Sequence, residues 1–397
     1  MAGKSDSLIV YPENVSVSVI YYAEIFDNLA GSESALQRKL SVGVLGATGM
    51  VGQRFIQILH NHEWFGVKVI AASPNSKGKT YAEAMNGRWL LDEPIPENVK
   101  GLVLRDVNDV KSVADEVDFV FSAVNLTKDE IKKIEEDYAR TETPVVSNNS
   151  AHRWTPDVPM IIPEINPEHS DVIPFQKKRL GTSRGFIAVK PNCSIQSYAP
   201  AFAAWREFEP YEAIVTTYQA ISGAGKNFST WPEMVGNVIP YIGGEEEKSE
   251  KEPLRIFGHI ENGQIVPANE PSISAQCVRI PVLYGHTAAA FVKFRKKPDS
   301  KEQLISLLNN FAGVPQKEKL PTAPAQFIRY MEEDNRPQVA LDVNYEGGMG
   351  VTIGRLRPDT IYDWKFIGLS HNTLRGAAGG AVECAELLVS QKYIEAK

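Results

Sequence analysis

Cys193 stands in the run Lys190-Pro191-Asn192-Cys193-Ser194, at a junction where a helix is expected from Ile195 to Phe208. A thiol at a helix N-terminus has its thiolate stabilised by unpaired backbone N–H groups, and the same groups can hold an oxyanion. A thiolate is both a good nucleophile and a good leaving group, so one residue could serve both halves of an acyl-transfer cycle. The bland alternative for any cysteine is a small buried hydrophobe. Cys277, within a strand, and Cys384, on an apolar helix face, fit that reading. His286 follows a glycine at a strand–loop boundary, a position that can expose a ring able to exchange protons near neutral pH. On the residues alone it reads more simply as a turn histidine bonded to backbone. The three cysteines form no C-x-x-C pair, and His60 and His62 point to different sides of a helix, so no metal site is expected.

A second chemistry is carried by Gly46-Ala47-Thr48-Gly49-Met50-Val51-Gly52, which follows the apolar run Ser41 to Leu45 and opens a helix with Phe55, Ile56 and Leu59 on one face. Glycines between a strand and a helix let the backbone turn sharply and approach a pyrophosphate, which the helix N-terminus then attracts. The spacing is G-x-x-G-x-x-G. Its plain alternative is a tight turn with close helix packing. Enzymes that take NAD usually place an acid at the end of the next strand, on the ribose 2′-hydroxyl. Here the chain reads Ala72-Ser73-Pro74-Asn75-Ser76-Lys77-Gly78-Lys79, with hydroxyls and lysines instead. That composition favours NADP(H), against the alternative of an ordinary solvated loop.

The elements that must position these groups alternate in the first half of the chain. Strands are expected at Lys68–Ala72, Asp118–Ala123 and Pro144–Ser147, with a charged helix at Lys128–Ala139, which argues for a parallel doubly wound sheet. After Cys193 the character changes. Long strands are expected at Glu212–Ala220, Cys277–Ile280, Ala288–Phe294, Gln338–Val343 and Val351–Leu356, with a helix near Lys301–Asn310 and a loop with short helices from Gly223 to Glu252. Few crossover helices imply a mixed sheet. A final helix spans Leu374 to Lys392. Residues 1–40 carry scattered acids and no leader-like apolar run, and read as a loosely attached extension, helical from Ser34 to Leu40. Length suits two domains: 397 residues, 43% apolar and 23% charged, with a net charge of -7. That balance gives no reason to expect nucleic acid or a membrane surface as partner. No apolar run is long enough to span a bilayer, and the low cysteine count fits a cytoplasmic location.

Three further segments complete a pattern: Asn192-Cys193-Ser194, Thr217-Tyr218-Gln219-Ala220-Ile221-Ser222-Gly223-Ala224-Gly225 and Arg279-Ile280-Pro281-Val282-Leu283-Tyr284-Gly285-His286. With the Gly46 loop they resemble the signature segments of aspartate-β-semialdehyde dehydrogenase, in its fungal and archaeal branch, from about Val42 to the last helix. The resemblance implies an α/β fold: a Rossmann-type doubly wound NADP-binding domain over 41–190, completed by 371–397, and an α+β catalytic and dimerisation domain with a mixed sheet over 191–370. It implies a phosphorylating aldehyde dehydrogenase of threonine and methionine biosynthesis, acting on β-aspartyl phosphate, aspartate semialdehyde and phosphate as a homodimer or homotetramer.

By the same resemblance Cys193 attacks the acyl phosphate, Asn192 steadies the oxyanion, His286 is the acid and base, and Gln219 orients substrate. Arg279 holds the substrate carboxylate and Arg153 its phosphate, with Lys248 beside it. Glu245 meets the amino group, although composition alone would make Glu245-Glu246-Glu247 a solvated helix face. Ser222 also lies on the substrate side. The cofactor residues implied are Gly46, Thr48, Gly49, Met50 and Val51, then Ser73, Ser76 and Lys77, then Ser122, Gly223 and Asn372. Alternatives on the same scaffold are N-acetyl-glutamyl-phosphate reductase and archaeal malonyl-CoA reductase. A non-catalytic NADP-binding sensor would lack the nucleophile or the base, and both are present.

Overall fold

A computed structural model describes residues 38–397. The extension expected at residues 1–40 therefore lies outside the described residues, apart from residues 38–40, of which Leu40 opens the first strand.

Six short strands form the first sheet: β1 (Leu40–Leu45), β2 (Phe65–Ala72), β3 (Arg105–Asp106), β4 (Phe119–Ser122), β5 (Val145–Ser147) and β6 (Ile187–Val189). All their pairings are parallel, in the order β3-β2-β1-β4-β5-β6. Strands β4, β5 and β6 are buried at every position, as expected where helices cover both faces of a parallel sheet. The covering helices include α1 (Met50–Leu59) and α2 (Lys128–Arg140). Helix α2 starts where Thr127 and Glu130 form a reciprocal capping box, and it buries Ile131, Ile134 and Tyr138. The strand order reverses between β1 and β4, and in such sheets ligands bind beyond the carboxyl ends of the strands at that point.

The second sheet is mixed, in the order β10-β7-β11-β14-β13-β12. It comprises β7 (Pro210–Gln219), β10 (Ser272–Arg279), β11 (His286–Phe294), β12 (Ile328–Met331), β13 (Val351–Pro358) and β14 (Trp364–Ser370). A hairpin of β8 (His259–Glu261) and β9 (Gln264–Val266) stands apart. Strand β11 alternates buried and half-buried residues along its length, the mark of a sheet with one face in the core. Helices α3 (Glu245–Ile256) and α4 (Lys301–Asn309) belong to this half. The last helix, α5 (Gly379–Ser390), returns to the first sheet and packs on α1 and β5. It is led by a π-helical turn, Leu374–Ala378, held by buried Arg375, whose guanidinium reaches Glu164 at 2.7 Å and Glu383 at 2.6 Å.

Several expected elements differ. The helix expected over Ile195–Phe208 is a 3-10 turn (Ser194–Ser197), a helix (Ala199–Ala204) and a second 3-10 turn (Arg206–Phe208). Pro200 has no N–H to continue a helix and instead starts a new one. Gln338–Val343 alternates like a strand, yet Val339–Asp342 is a helical turn. The Asp342 carboxylate accepts the Gln338 N–H at 2.6 Å and pairs with Arg336, which folds the segment back on itself. The Gly223–Glu252 stretch, expected as a loop with short helices, contains the start of α3, which is longer, at 12 residues. Strand β14 escapes the sequence pattern because Gly368 interrupts it. A side chain there would strike the Ser197 carbonyl at 1.8 Å.

Candidate active site

The two sheets deliver their chemistry from strand ends. Cys193 lies beyond the end of β6, Gln219 and Arg279 close β7 and β10, and His286 opens β11. Strands β10, β7 and β11 are neighbours, so Arg279 pairs in register with Gln219, and Thr287, the residue after His286, pairs with Tyr218. Residues more than 90 positions apart in the chain are thereby brought together: Cys193 Sγ lies 3.3 Å from His286 Nε2. The other ring nitrogen, Nδ1, accepts the Ala220 N–H at 3.0 Å. An accepting Nδ1 carries no proton, so the neutral ring holds its proton on Nε2 and presents it to the sulfur. Burial pulls the His286 pKa down to about 3, the Arg279 cation acts in the same direction, and Glu245 opposes.

Cys193 is half-buried, and it caps a four-residue 3-10 turn rather than a long helix. The expected help from a helix N-terminus is therefore small, since one short turn carries little dipole. Burial pushes the thiol up, Glu245 adds to this, and Lys190, Arg153 and Arg279 oppose it. Ionisation of Cys193 is thus favoured only by these nearby cations.

Glu245 proves to be the inward member of the three consecutive glutamates: it is 7% exposed, while Glu246 is half-buried and Glu247 exposed. Its carboxylate accepts from Asn192 Nδ2 at 3.0 Å and Gln219 Nε2 at 3.1 Å, and pairs with Lys248 at 2.7 Å. Burial raises the Glu245 pKa, but Lys248, Gln219 and Asn192 more than offset that, and the group stays below the ordinary carboxylate range. Asn192 Oδ1 accepts from the Ser194 N–H and hydroxyl, so both ends of this amide already have protein partners. Arg279 donates to the Ala220 carbonyl at 2.6 Å, and Gly223 lies against its guanidinium and the His286 ring.

Arg153 is buried and bound to Glu252 at 2.9 Å and to the Lys190 carbonyl at 3.0 Å. The second oxygen of Glu252 accepts the Asn192 N–H at 2.6 Å, so this carboxylate ties Arg153 to the nucleophile loop. Glu252 was not singled out in the sequence, where it is one acid in a charged run. Its only signal was its position one helical repeat of seven after Glu245, which puts both on one face.

The nucleotide loop forms a separate cavity of about 290 Å³, lined by Gly46, Thr48, Gly49, Ser73, Arg88 and Leu126 among others. Gly46 adopts φ 81°, and a Cβ there would lie 2.3 Å from the Ala123 carbonyl. A Cβ on Gly52 would meet the Gly46 carbonyl at 2.2 Å, so the first turn of α1 packs directly on the turn that follows β1. No carboxylate lines this cavity, and the Ser73 hydroxyl and Arg88 cation among its lining suit a 2′-phosphate. Met50, Val51, Ser76, Lys77 and Ser122 do not line it. Met50 and Ser76 are buried, and Ser122 accepts from Asn149 at 3.1 Å. Asn372 and Ser222 lie beside the loop that leads into His286 instead. Asn372 donates to the Ser222 hydroxyl at 2.8 Å and accepts the Gly285 N–H at 2.8 Å, which clamps the loops on either side of His286. Arg88 is the cation that the sequence reading passed over. It lies outside the glycine motif and shows only as a basic residue in a Gly-Arg-Trp run.

Comparison with known proteins agrees with this geometry. Residues 41–173 match the family model "Semialdehyde dehydrogenase, NAD binding domain", and residues 199–375 match "Semialdehyde dehydrogenase, dimerisation domain". The aspartate-semialdehyde dehydrogenase of Methanothermobacter thermautotrophicus is 42% identical over 355 residues, covering 88% of this chain and 99% of that protein. That of Saccharomyces cerevisiae is 40% identical over 372 residues, covering 90% and 99%. The crystal structure of aspartate semialdehyde dehydrogenase with NADP from Candida albicans is 34% identical with a TM-score of 0.79, over 90% of this chain and 100% of that one. With both halves of its fold matched and Cys193, His286, Arg153 and Arg279 gathered at one site, the chain belongs to the aspartate-semialdehyde dehydrogenase family.

Proposed function

We propose that the protein catalyses the NADPH-dependent reductive dephosphorylation of β-aspartyl phosphate to aspartate β-semialdehyde, a step of aspartate-family amino-acid biosynthesis. The observation that carries this reading is the 3.3 Å approach of Cys193 Sγ to His286 Nε2, with Arg279 beside the ring. The Cys193 thiolate attacks the acyl carbon, the C–S bond forms, the C–O bond to phosphate breaks, and a thioester remains on the enzyme. Bound NADPH supplies the hydride that reduces this thioester. The Cys193 N–H steadies the oxyanion, and collapse returns the sulfur as thiolate while the aldehyde leaves. His286 is the acid and base of the cycle, and Gln219 orients the substrate.

The substrate is anionic at both ends, and guanidinium groups bind carboxylate and phosphate in forked geometry. Arg279 takes the carboxylate, with Glu245 toward the amino group. Arg153 and Lys248 take the phosphate, each exchanging part of its present carboxylate contact for the ligand. In the nucleotide cavity, Thr48 and Gly49 face the pyrophosphate, and Ser73 and Arg88 face the 2′-phosphate. We divide the chain for function at residues 41–190 with 371–397 on one side and 191–370 on the other. The free face of β7 shows Ile214 at 39% and Tyr218 at 37% exposure, which supports assembly of a dimer, or of a tetramer built from dimers, through this sheet. Three unpaired cysteines, and no helix among the described residues long and apolar enough to cross a membrane, suit our assignment to the cytoplasm.

The test is NADPH formation from aspartate semialdehyde, phosphate and NADP, followed by absorbance with each component omitted in turn. Phosphate-dependent formation is expected. Folded, NADP-binding protein that reduces a coenzyme A thioester instead would overturn the substrate assignment.

A further inference from the structure

A second cavity, of about 460 Å³, has no part in the chemistry above. It shares no lining residue with the nucleotide cavity, and Cys193, His286, Arg279 and Glu245 do not line it. Its charged lining is one cation, Arg54, and two acids, Asp92 and Glu93, while Tyr284 and His371 supply its aromatic surface.

Two buried groups in its wall lack the partner their chemistry calls for. Arg54, on α1, is 7% exposed, yet its guanidinium pairs with no carboxylate among the described residues. Its Nε donates to the Thr373 hydroxyl at 3.1 Å and its Nη1 to the Gln57 amide oxygen at 2.6 Å, both neutral acceptors, and it lies over the Tyr284 ring at 5.0 Å. A buried guanidinium is costly without an anion, and a carboxylate matches its forked donors. His371 is 2% exposed. Its Nδ1 accepts the Thr373 and Leu374 N–H groups, each at 3.2 Å, so the neutral ring carries its proton on Nε2. That N–H makes no hydrogen bond among the described residues. Burial, with Arg54 acting in the same direction, holds the His371 pKa at about 3, so the ring is a neutral donor near neutral pH. A carboxylate in this cavity would answer both donors. Asp92 and Glu93 are exposed and would repel a simple anion, but they suit an ammonium group. A small ligand that carries both charges is an amino acid.

The wall of the cavity adjoins the catalytic loop. Tyr284 stacks on His371, with ring centroids 5.2 Å apart. Tyr284 precedes Gly285, and His371 precedes Asn372, whose side chain accepts the Gly285 N–H at 2.8 Å. The residue after Gly285 is His286, 3.3 Å from Cys193 Sγ. A ligand that shifts the Tyr284–His371 stack therefore shifts the backbone that aims His286.

We propose that this cavity is a regulatory site for a free α-amino acid: its carboxylate meets Arg54 and the His371 Nε2–H, its ammonium meets Asp92 and Glu93, and its occupancy is transmitted through the Tyr284–His371 stack to His286. This goes beyond the reaction proposed above and does not depend on its substrate.

The experiment screens the protein amino acids one at a time, at millimolar concentration, for binding to the full chain saturated with NADP, by thermal shift and then calorimetry. At least one should bind. Its affinity should fall about tenfold or more in Arg54→Met, and likewise in Asp92→Asn combined with Glu93→Gln, through loss of a charge-assisted contact. The same molecule without its amino group should bind about tenfold more weakly. In the native chain the bound amino acid should change the rate of Cys193 alkylation by iodoacetamide about fivefold, and in Arg54→Met it should not. Absence of binding overturns the proposal. So does binding that survives Arg54→Met unweakened, which would place the ligand at the catalytic site. Equal binding of the molecule without its amino group overturns the amino-acid class, and binding with no change in alkylation overturns the coupling to His286. If Arg54→Met does not fold, the double replacement of Asp92 and Glu93 carries the test, since both are exposed. No substrate is used, so failure of the proposed reaction is read separately by the turnover assay.

Discussion

The carboxylate of Glu245 grips the side-chain amide of Asn192 at 3.0 and 3.1 Å, so the residue before the nucleophile is held by the first turn of α3. The same carboxylate pushes the Cys193 thiol up. Replacing it therefore has two effects of opposite sense. Glu245→Gln should lower kcat about 10- to 100-fold, the loss of one hydrogen bond to a charged group. The midpoint of Cys193 alkylation should nevertheless fall, because a negative charge beside the thiol is gone. Steady-state kinetics and alkylation on the same preparation check both signs, and a raised midpoint would contradict the assigned geometry.

Cys193→Ser should abolish turnover while leaving NADP affinity unchanged. A hydroxyl is a far weaker nucleophile, and the cavity at Gly46 and Thr48 is lined by other residues. Fluorescence titration with NADPH alongside the activity assay makes the comparison. Full activity in the serine variant would remove Cys193 from the mechanism.

Arg279→Lys should raise KM for aspartate semialdehyde about 100-fold, because an ammonium cannot make the forked contact and also leaves the Ala220 carbonyl without its 2.6 Å donor. An unchanged KM would place the carboxylate elsewhere.

Arg88→Gln should weaken NADPH binding about tenfold or more and leave NADH binding unaltered, since only the former carries a 2′-phosphate. Dissociation constants for the two nucleotides decide this. Equal weakening of both would assign Arg88 to the part of the cofactor they share.

Acid should destabilise the fold below about pH 6.5. His286 and His371 are both held near 3 by burial, whereas an unfolded histidine titrates at about 6.5. Between those values the unfolded chain binds more protons than the folded one. The stability of the neutral rings is therefore complete above about pH 6.5 and declines as the pH falls toward 3, by at most about 1.4 kcal/mol per unit for each ring. Urea unfolding at pH 7.0 and 5.5 measures the slope, and greater stability at 5.5 would contradict it.

By itself the sequence determined the parts whose signals are local. The Gly46–Gly52 loop between β1 and α1 was legible because strand, turn and helix each leave a pattern over a few residues, and so was the absence of an acid after β2. The long strands β7, β11 and β13 were legible for the same reason. What tertiary structure alone decided was which distant residues meet. The pairing of β7 with β10 and β11 carries Gln219, Arg279 and His286 to one end of a sheet, and no local pattern encodes that register. The helical phase of α3 turned Glu245 inward and left Glu247 in solvent, although all three glutamates look alike in the chain. Asp342, which caps its own turn, overrode the alternation of Gln338–Val343, and Pro200 divided a continuous apolar stretch into three pieces. The burial of Lys190 was also invisible, because a lysine's surroundings depend on which backbone closes over it, and here that is the π-helical turn at Gly376.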